Sequence, residues 1–578
     1  MGVDTSVATT TITHTVTATT TLSPSFELIS ITLGEKFLQC LNLLDKLPGG
    51  QIILRYIKSS YKDDPIRSLF ELALFVFAIH YFLSSKKKEN KSELVKFSGR
   101  EIDELVNEWT PSSLVEPVND LEKWELKSIP QVHGANGLYV KLDNPKINDA
   151  VLNLASNDFL NLSSSEDIKS AAKGVISSSG VGACGPPNFY GTQDVHVRLE
   201  EDLSNFLGTE QAIIYGQDFV TAGSVIPSFL KRGDLIIADS GINLAIQKAL
   251  IVSRCDIEWY DHNDMDHLEQ ILTEVKPVLD KQKPIRRRFI VTEGLFANSG
   301  EIANLPRIVE LKNKFKYRLF LDETLSIGTI GKTGKGIVEH FNIPRSEISI
   351  TIGSMALSFA SSGGFCVGVA PMVLHQRIQS NAYVFSASLP PYSAKVTSEA
   401  IKLITSKTTS SGDSAIIHDL QSNVSAVYNQ LLNLNNSYVQ VVSNPLCPVI
   451  HVSLDQAYRS SLNLPVAYGS LDFLNTGKQA ASLNEFDHKY NAESFILQKI
   501  IDQLLIQSNV LITRSKNILE HENLPTANPH LLIFISSGAK QVDLSNAIAS
   551  LDSIISNVCS SIKSEADLLN LENEIARY

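Results

Sequence analysis

Between Thr351 and Gly368 the chain reads TIGSMALSFASSGGFCVG, a run of small residues that closes on Gly363-Gly364 after the β-rich ISITIGS. A loop of this kind suits the presentation of a reactive group to a cofactor, because small side chains let backbones and ligands come close. Yet every residue in it is apolar, small or hydroxyl-bearing. No lysine occurs from Gly336 to Ala394, so a shift of a residue or two does not supply an amine. Asp322, in LDETLSIG, is read as a strand-end residue held by structural hydrogen bonds. His196, after YGTQDV, is read as a satisfied structural histidine. The six cysteines (Cys40, Cys184, Cys255, Cys366, Cys447, Cys559) form no CxxC pair and have no histidine at ligand spacing, so neither a metal site nor a disulfide framework is expected. A reducing compartment follows for the bulk of the chain.

The elements that must position these residues are legible from Phe97 onward. Short apolar runs, AIIYG, LIIAD, RFIVTEG, RLFLDE and ISITIGS, alternate with helical patterns such as NLPRIVELKNKF. That alternation predicts an α/β fold with a mostly parallel sheet covered by helices. The pattern fades near residue 400, and a second set follows: a helix around 414–434, a strand at CPVIHVSL, a helix near 490–508, strands at NVLITR and HLLIFISS, and a closing helix. The expected division is a large domain over 151–398 and a smaller C-terminal α+β domain over 399–578. Arg286–Arg288 run straight into the apolar FIVTEG and are read as the solvated start of a buried strand. The formal net charge of −12 argues against a nucleic-acid partner, since phosphate binding needs a local excess of lysine and arginine.

The first 150 residues read differently. Residues 1–24 are a Thr-rich low-complexity tail that cannot bury a core. Within 25–65, Leu33, Phe37, Leu41, Leu44 and Leu47 fall on one helical face, giving an amphipathic helix for a membrane surface or the protein's own body. Residues 66–85 contain SLFELALFVFAIHYFL and are expected to cross a membrane once; a buried core helix is the competing reading. Lys86, Lys87, Lys88 and Lys91 follow at once, which places the C-terminal side in the cytoplasm. Residues 86–150 are then a linker and N-terminal segment.

Five ordered segments carry a family likeness: NLASNDFLNL (153–162), GVGACGPPNFYGTQDVHVRLE (180–200), VTEGLFANSGEIANLP (291–306), LDETLSIGTIGKTGKG (321–336) and GSMALSFASSGGF. Together they resemble the α-oxoamine synthases, fold-type I pyridoxal-phosphate enzymes that condense an amino acid with an acyl-CoA. The likeness implies a fold-type I aminotransferase-like large domain from about residue 150. It also implies a lysine that holds the cofactor, an aspartate on the pyridine nitrogen, a histidine stacked on the ring and an arginine for the substrate carboxylate.

Carried over position by position, the pattern breaks at the chemistry. The lysine position, six residues before the Gly-Gly pair, is Leu357; the ring-stacking histidine is Asn243; a phosphate-cradling glycine is Asp218; the histidine after the aspartate is Leu325; and the carboxylate arginine is Leu532. Asp322 survives. The resemblance implies an active site shared across a dimer interface, so a degenerate chain is retained for what it gives its neighbour. Within the family, the membrane helix, the missing lysine, CGPPNFYGT and FSASLPP are similar to the non-catalytic long-chain-base subunits of serine palmitoyltransferases. That likeness implies a catalytic second subunit that holds the pyridoxal phosphate, L-serine and palmitoyl-CoA as substrates, small regulatory membrane proteins as further partners, and the endoplasmic reticulum membrane as location. It implies that Ser386 and Ser388 reach the partner's cofactor, and that Cys184, Tyr190, Gly191 and Thr192 lie at the neighbour's site. Two other readings stand beside it: an active homodimer using Lys332 or Lys335 as a displaced lysine, and a non-enzymatic membrane scaffold that kept the fold.

Overall fold

The computed structural model describes residues 48–89, 98–111, 114–115, 120–144, 146–147, 149–434, 436–468, 487–517 and 526–578. The Thr-rich tail and the amphipathic pattern between Leu33 and Leu47 lie outside these residues. The chain forms two compact units, residues 1–116 and 117–578.

In the first unit, helix Gly50–Asp63 stops at Asp64, whose backbone is extended, and Pro65 opens the next helix, Pro65–Glu89. Its stretch Pro65–Leu83 has a mean hydropathy of 1.7 over 19 residues, and none of it is buried. Leu69, Phe70, Phe75, Phe77 and Phe82 are all exposed. A helix this long and apolar has the length and composition to cross a membrane, and among the described residues it is not buried as a core helix would be. Glu71, inside the stretch, pairs with Arg67 one turn back at 3.0 Å. A further helix, Gly99–Glu108, lies in the expected linker, started by a capping box in which the Glu101 N–H donates to Ser98 Oγ and the Ser98 N–H to Glu101 Oε2.

The second unit is built around a seven-stranded sheet. Its spatial order is Gln211–Tyr215, Gly364–Gly368, Ile350–Ser354, Arg318–Asp322, Arg288–Glu293, Leu235–Asp239 and Asp256–Tyr260. Gly364–Gly368 runs antiparallel to both neighbours, and the other pairings are parallel. The inner strands are buried along their whole length, which is why they read as unbroken runs of Ile, Leu, Val and Phe. A four-stranded sheet, Val439–Val441, Val449–Leu454, His530–Phe534 and Thr513–Arg514, forms the C-terminal part against helices Asp487–Ser508 and Gln541–Ser560.

Three features depart from the expected layout. Helix Pro391–Ser406 runs unbroken through residue 398, where a division was expected. Val132–His133, Tyr139–Leu142 and Val151–Asn153, in or beside the expected linker, form a second four-stranded sheet with Val510–Leu511, so the N-terminal segment is stitched to the C-terminal part. The Gly-Gly end of the opening loop is a strand, Gly364–Gly368, rather than loop.

Candidate functional site

The parallel strands all point their C-terminal ends to one edge, which brings Asp239, Glu293, Asp322 and Ser354 side by side. Asp322 and Glu293 are buried. Asp322 Oδ1 accepts from the Thr324 N–H at 2.8 Å, and its Oδ2 accepts from Asn243 Nδ2 at 3.1 Å. Asn243 also caps helix Leu244–Ser253 through its Oδ1, which accepts from the Ile246 N–H at 3.1 Å. Glu293 accepts from the backbone N–H of Asn243 and, at 3.0 Å, from that of Ala297. Asp218 stands close by, hydrogen-bonded by Ser354 and repelled by Asp322.

Carboxylates gathered in low dielectric bind their protons more tightly than they would in water. Burial is the main cause, and the neighbouring charge adds to it. Asp218 is pushed up to about 6, Glu293 to about 8, and Asp322 is raised as well. Glu323, also buried, is neutralised by Arg345 and accepts from the Ile337 N–H at 2.9 Å.

The loop that follows Ser354 turns its polar groups inward. The Met355 N–H donates to Gly363 O at 2.9 Å, and the Ser361 N–H to Met355 O at 3.1 Å. Ser358 Oγ donates to Ile327 O, Ser361 Oγ to Ser393 O and Ser362 Oγ to Ser393 Oγ. Leu357 and Leu325 are partly buried against the core. Gly363 has φ 85°, and a Cβ there would sit 2.3 Å from Tyr215 O, so the loop's closing turn requires glycine. The residues present do not fit pyridoxal phosphate: there is no amine to hold the aldehyde, and Asp218 would face a phosphate dianion.

A second constellation lies where residues 180–192 meet 385–389. Ser388 donates twice to Gly185 O, from its N–H at 3.0 Å and its Oγ at 3.1 Å. A Cβ on Gly191 would lie 2.0 Å from Gly185 O and 2.3 Å from Ser388 Oγ, and one on Gly185 would lie 2.4 Å from the Tyr190 ring. Gly191 is therefore required by close approach to backbone, whereas at Gly185 the exposed Tyr190 ring could give way. Below them His196 Nδ1 accepts from the Gln193 N–H, and Nε2 lies 2.7 Å from Leu389 O. This is a neutral ring protonated at Nε2, and burial lowers its pKa accordingly.

Residues 149–437 match the family model for aminotransferase class I and II. Over 535 residues the chain is 42% identical to "Serine palmitoyltransferase 1" of Saccharomyces cerevisiae, spanning 89% of this chain and 94% of that protein. It is 35% identical to the protein of the same name from Dictyostelium discoideum, spanning 86% and 95%. "Long chain base biosynthesis protein 1" of Arabidopsis thaliana is 32% identical over 82% of this chain and 88% of that one. The chain belongs to the serine palmitoyltransferase 1 family. Among solved structures it shares its fold with "high resolution structure of SPT with PLP internal aldimine" (TM-score 0.59, 18% identity, 74% of this chain and 93% of that one). The Sphingomonas wittichii serine palmitoyltransferase gives the same TM-score and identity over 75% and 93%. The large domain is thus of the aminotransferase type, with the mostly parallel sheet expected of it.

The structure gathers Asp218, Asn243 and Asp322 at one edge of the serine palmitoyltransferase 1 fold. Leu532 lies on strand His530–Phe534, paired across from His451 and Thr513. Cys184 is exposed with φ 57°. Gly191 is buried, close to Gly185 O and Ser388 Oγ. Thr192 Oγ1 is turned back to Pro187 O at 3.0 Å. Tyr190 is exposed, and so is Ser386. Sequence reading missed Glu293, hidden in the strand run RFIVTE, and the exposed Val181, Phe189 and Phe385 that flank Tyr190 along the chain and beside Ser386. The aromatic pair after Pro186-Pro187 was the available signal.

Proposed function

We propose that this chain is the non-catalytic, membrane-anchored subunit of a serine palmitoyltransferase, needed with a lysine-bearing second subunit to condense L-serine with palmitoyl-CoA to 3-oxosphinganine. The observation that carries the reading is the pairing of a disabled strand edge with an intact rim. Where the fold would hold a cofactor stand Leu357 and three buried carboxylates, Asp218, Glu293 and Asp322, whose pKa values burial raises. At the rim, a glycine-dependent turn holds Tyr190 and Phe189 out at 72% and 69% exposure, and Phe385 at 76% stands beside Ser386. Exposed aromatics on a tightly braced loop suit burial against another protein.

Pyridoxal phosphate would belong to the second subunit, where it supplies an electron sink for the amino acid's α-carbon. Ser386 is the hydroxyl available to reach that group, because Ser388 is committed to Gly185 O. Pro65–Leu83 would anchor the complex in the endoplasmic reticulum membrane, with the second unit cytosolic and small regulatory membrane proteins as further partners. Purification of the tagged chain tests this. A lysine-bearing paralogue should co-purify at equal stoichiometry, and acyltransferase activity should need both. Activity from this chain alone, with cofactor trapped on Lys332 or Lys335, would instead establish the homodimer.

A further inference from the structure

The N-terminal ends of the parallel strands, opposite the carboxylate edge, hold a cavity of about 350 Å³. Phe229, Phe289, Ile350 and Met372 line it, and Arg287 and Arg318 stand over it. Phe289, Ile350 and Met372 are buried, and Phe229 packs against His375 with ring centroids 5.0 Å apart. His375 Nε2 is taken up by Ser228 O at 2.8 Å. The volume lies within the range of about 300–1,000 Å³ common to small-ligand pockets, and an apolar lining with few polar groups is their usual chemistry.

The charge at this cavity runs against the rest of the molecule. The chain has 62 acidic and 50 basic side chains, yet no acidic residue lines the cavity. Arg287 donates to Phe229 O and its backbone N–H to Asp234, which fixes its place. Arg318 opens its strand with an exposed side chain, and no hydrogen-bond or ion-pair partner for its guanidinium occurs among the described residues. An unpaired guanidinium over an apolar hollow suits an apolar chain ending in an anion, and a planar carboxylate matches its fork. Arg286–Arg288, which the sequence presents as a solvated strand start, thus place one of their cations over a cavity.

We propose that this cavity binds a free fatty carboxylate, its chain among Phe229, Phe289, Ile350 and Met372 and its head on Arg318 and Arg287. The site is separate from the carboxylate edge, since the two lie at opposite ends of the same strands. The test uses the full chain in its complex, reconstituted in lipid nanodiscs, with dodecanoic acid carrying a terminal diazirine as probe. On irradiation the label is expected on peptides containing Phe229 or Met372. Arg318→Glu should cut that labelling at least tenfold, as should Val369→Trp at the half-exposed mouth, with acyltransferase activity and thermal midpoint unchanged. The matching diazirine dodecanol should label these peptides less than one-tenth as well. Equal labelling by the alcohol, no loss in Arg318→Glu, or label confined to other peptides would each overturn the proposal. The labelling is read on this chain's own peptides, so it is decided separately from whether the chain has a catalytic partner.

Discussion

The strand edge and the glycine rim have fared oppositely. At the edge, Asp322, Glu293 and Asn243 keep their polar groups but turn them on one another and on nearby backbone, and the loop after Ser354 consumes its own hydroxyls. At the rim, the backbone of Gly185 and the Ser388 hydroxyl come so close to Gly191 that only glycine fits there, while Tyr190, Phe189 and Cys184 are exposed. The edge is finished internally; the rim is incomplete without something outside it. Under the proposed function that contrast is expected, since a chain whose own edge is closed would act through the turn it presents to a neighbour.

The largest effect expected from breaking this contrast is at Gly191. Gly191→Ala places a Cβ 2.0 Å from a carbonyl oxygen and 2.3 Å from Ser388 Oγ. Such overpacking against backbone costs about 3 kcal/mol or more. Activity of the assembled complex should fall at least tenfold. Gly182→Ala, with nothing within 4 Å and an ordinary φ, should change neither assembly nor rate. Equal tolerance of both would mean that the rim does not matter.

Next comes the edge itself, through pH. Asp218 has its pKa raised to about 6 in the folded state, chiefly by burial. The folded form therefore holds its proton more tightly than the unfolded form, and stability falls as pH rises from about 4 to about 6. Asp218→Asn removes that penalty. It should stabilise the protein by on the order of 1–3 kcal/mol above pH 6 and leave it unchanged near pH 4, read as thermal midpoints across the series. A flat difference across that range would sink the assignment of an uncompensated carboxylate.

Cys184 sharpens the comparison at the rim. Its φ of 57° is costly for a β-branched residue, so Cys184→Ile should destabilise by about 1–2 kcal/mol, and Cys184→Gly should not destabilise. The same residue shows where sequence reading ends. The strands of the large sheet were legible because buried parallel strands must be continuous apolar runs, as in LIIAD and RLFLD. That Leu357 offers no amine was equally legible. Strand Gly364–Gly368 was not, since it answers to partners distant in sequence: it pairs with Gln211–Tyr215, and a Cβ on Gly364 would meet Thr221 Oγ1 at 2.2 Å. Nor was the pairing of Leu152 with Val510, which joins segments more than half the chain apart. Exposure of Cys184 follows from a backbone angle, which small residues do not announce.

The smallest expected effects divide the two serines. Ser388→Ala loses a 3.1 Å bond to Gly185 O while the backbone N–H of the same residue still donates there at 3.0 Å. The cost should be about 1 kcal/mol of stability, with cofactor retention in the partner unchanged. Ser386→Ala removes an exposed hydroxyl beside Phe385 and should leave the thermal midpoint within about 0.5 kcal/mol of the parent, as surface changes do. Its effect belongs on the partner: cofactor should be lost several-fold faster on dialysis of the intact heterodimer. If instead Ser388→Ala releases cofactor and Ser386→Ala does not, the rim turn must open on assembly to free the Ser388 hydroxyl from Gly185. The brace that Gly191 protects would then be a feature of the unpaired chain alone.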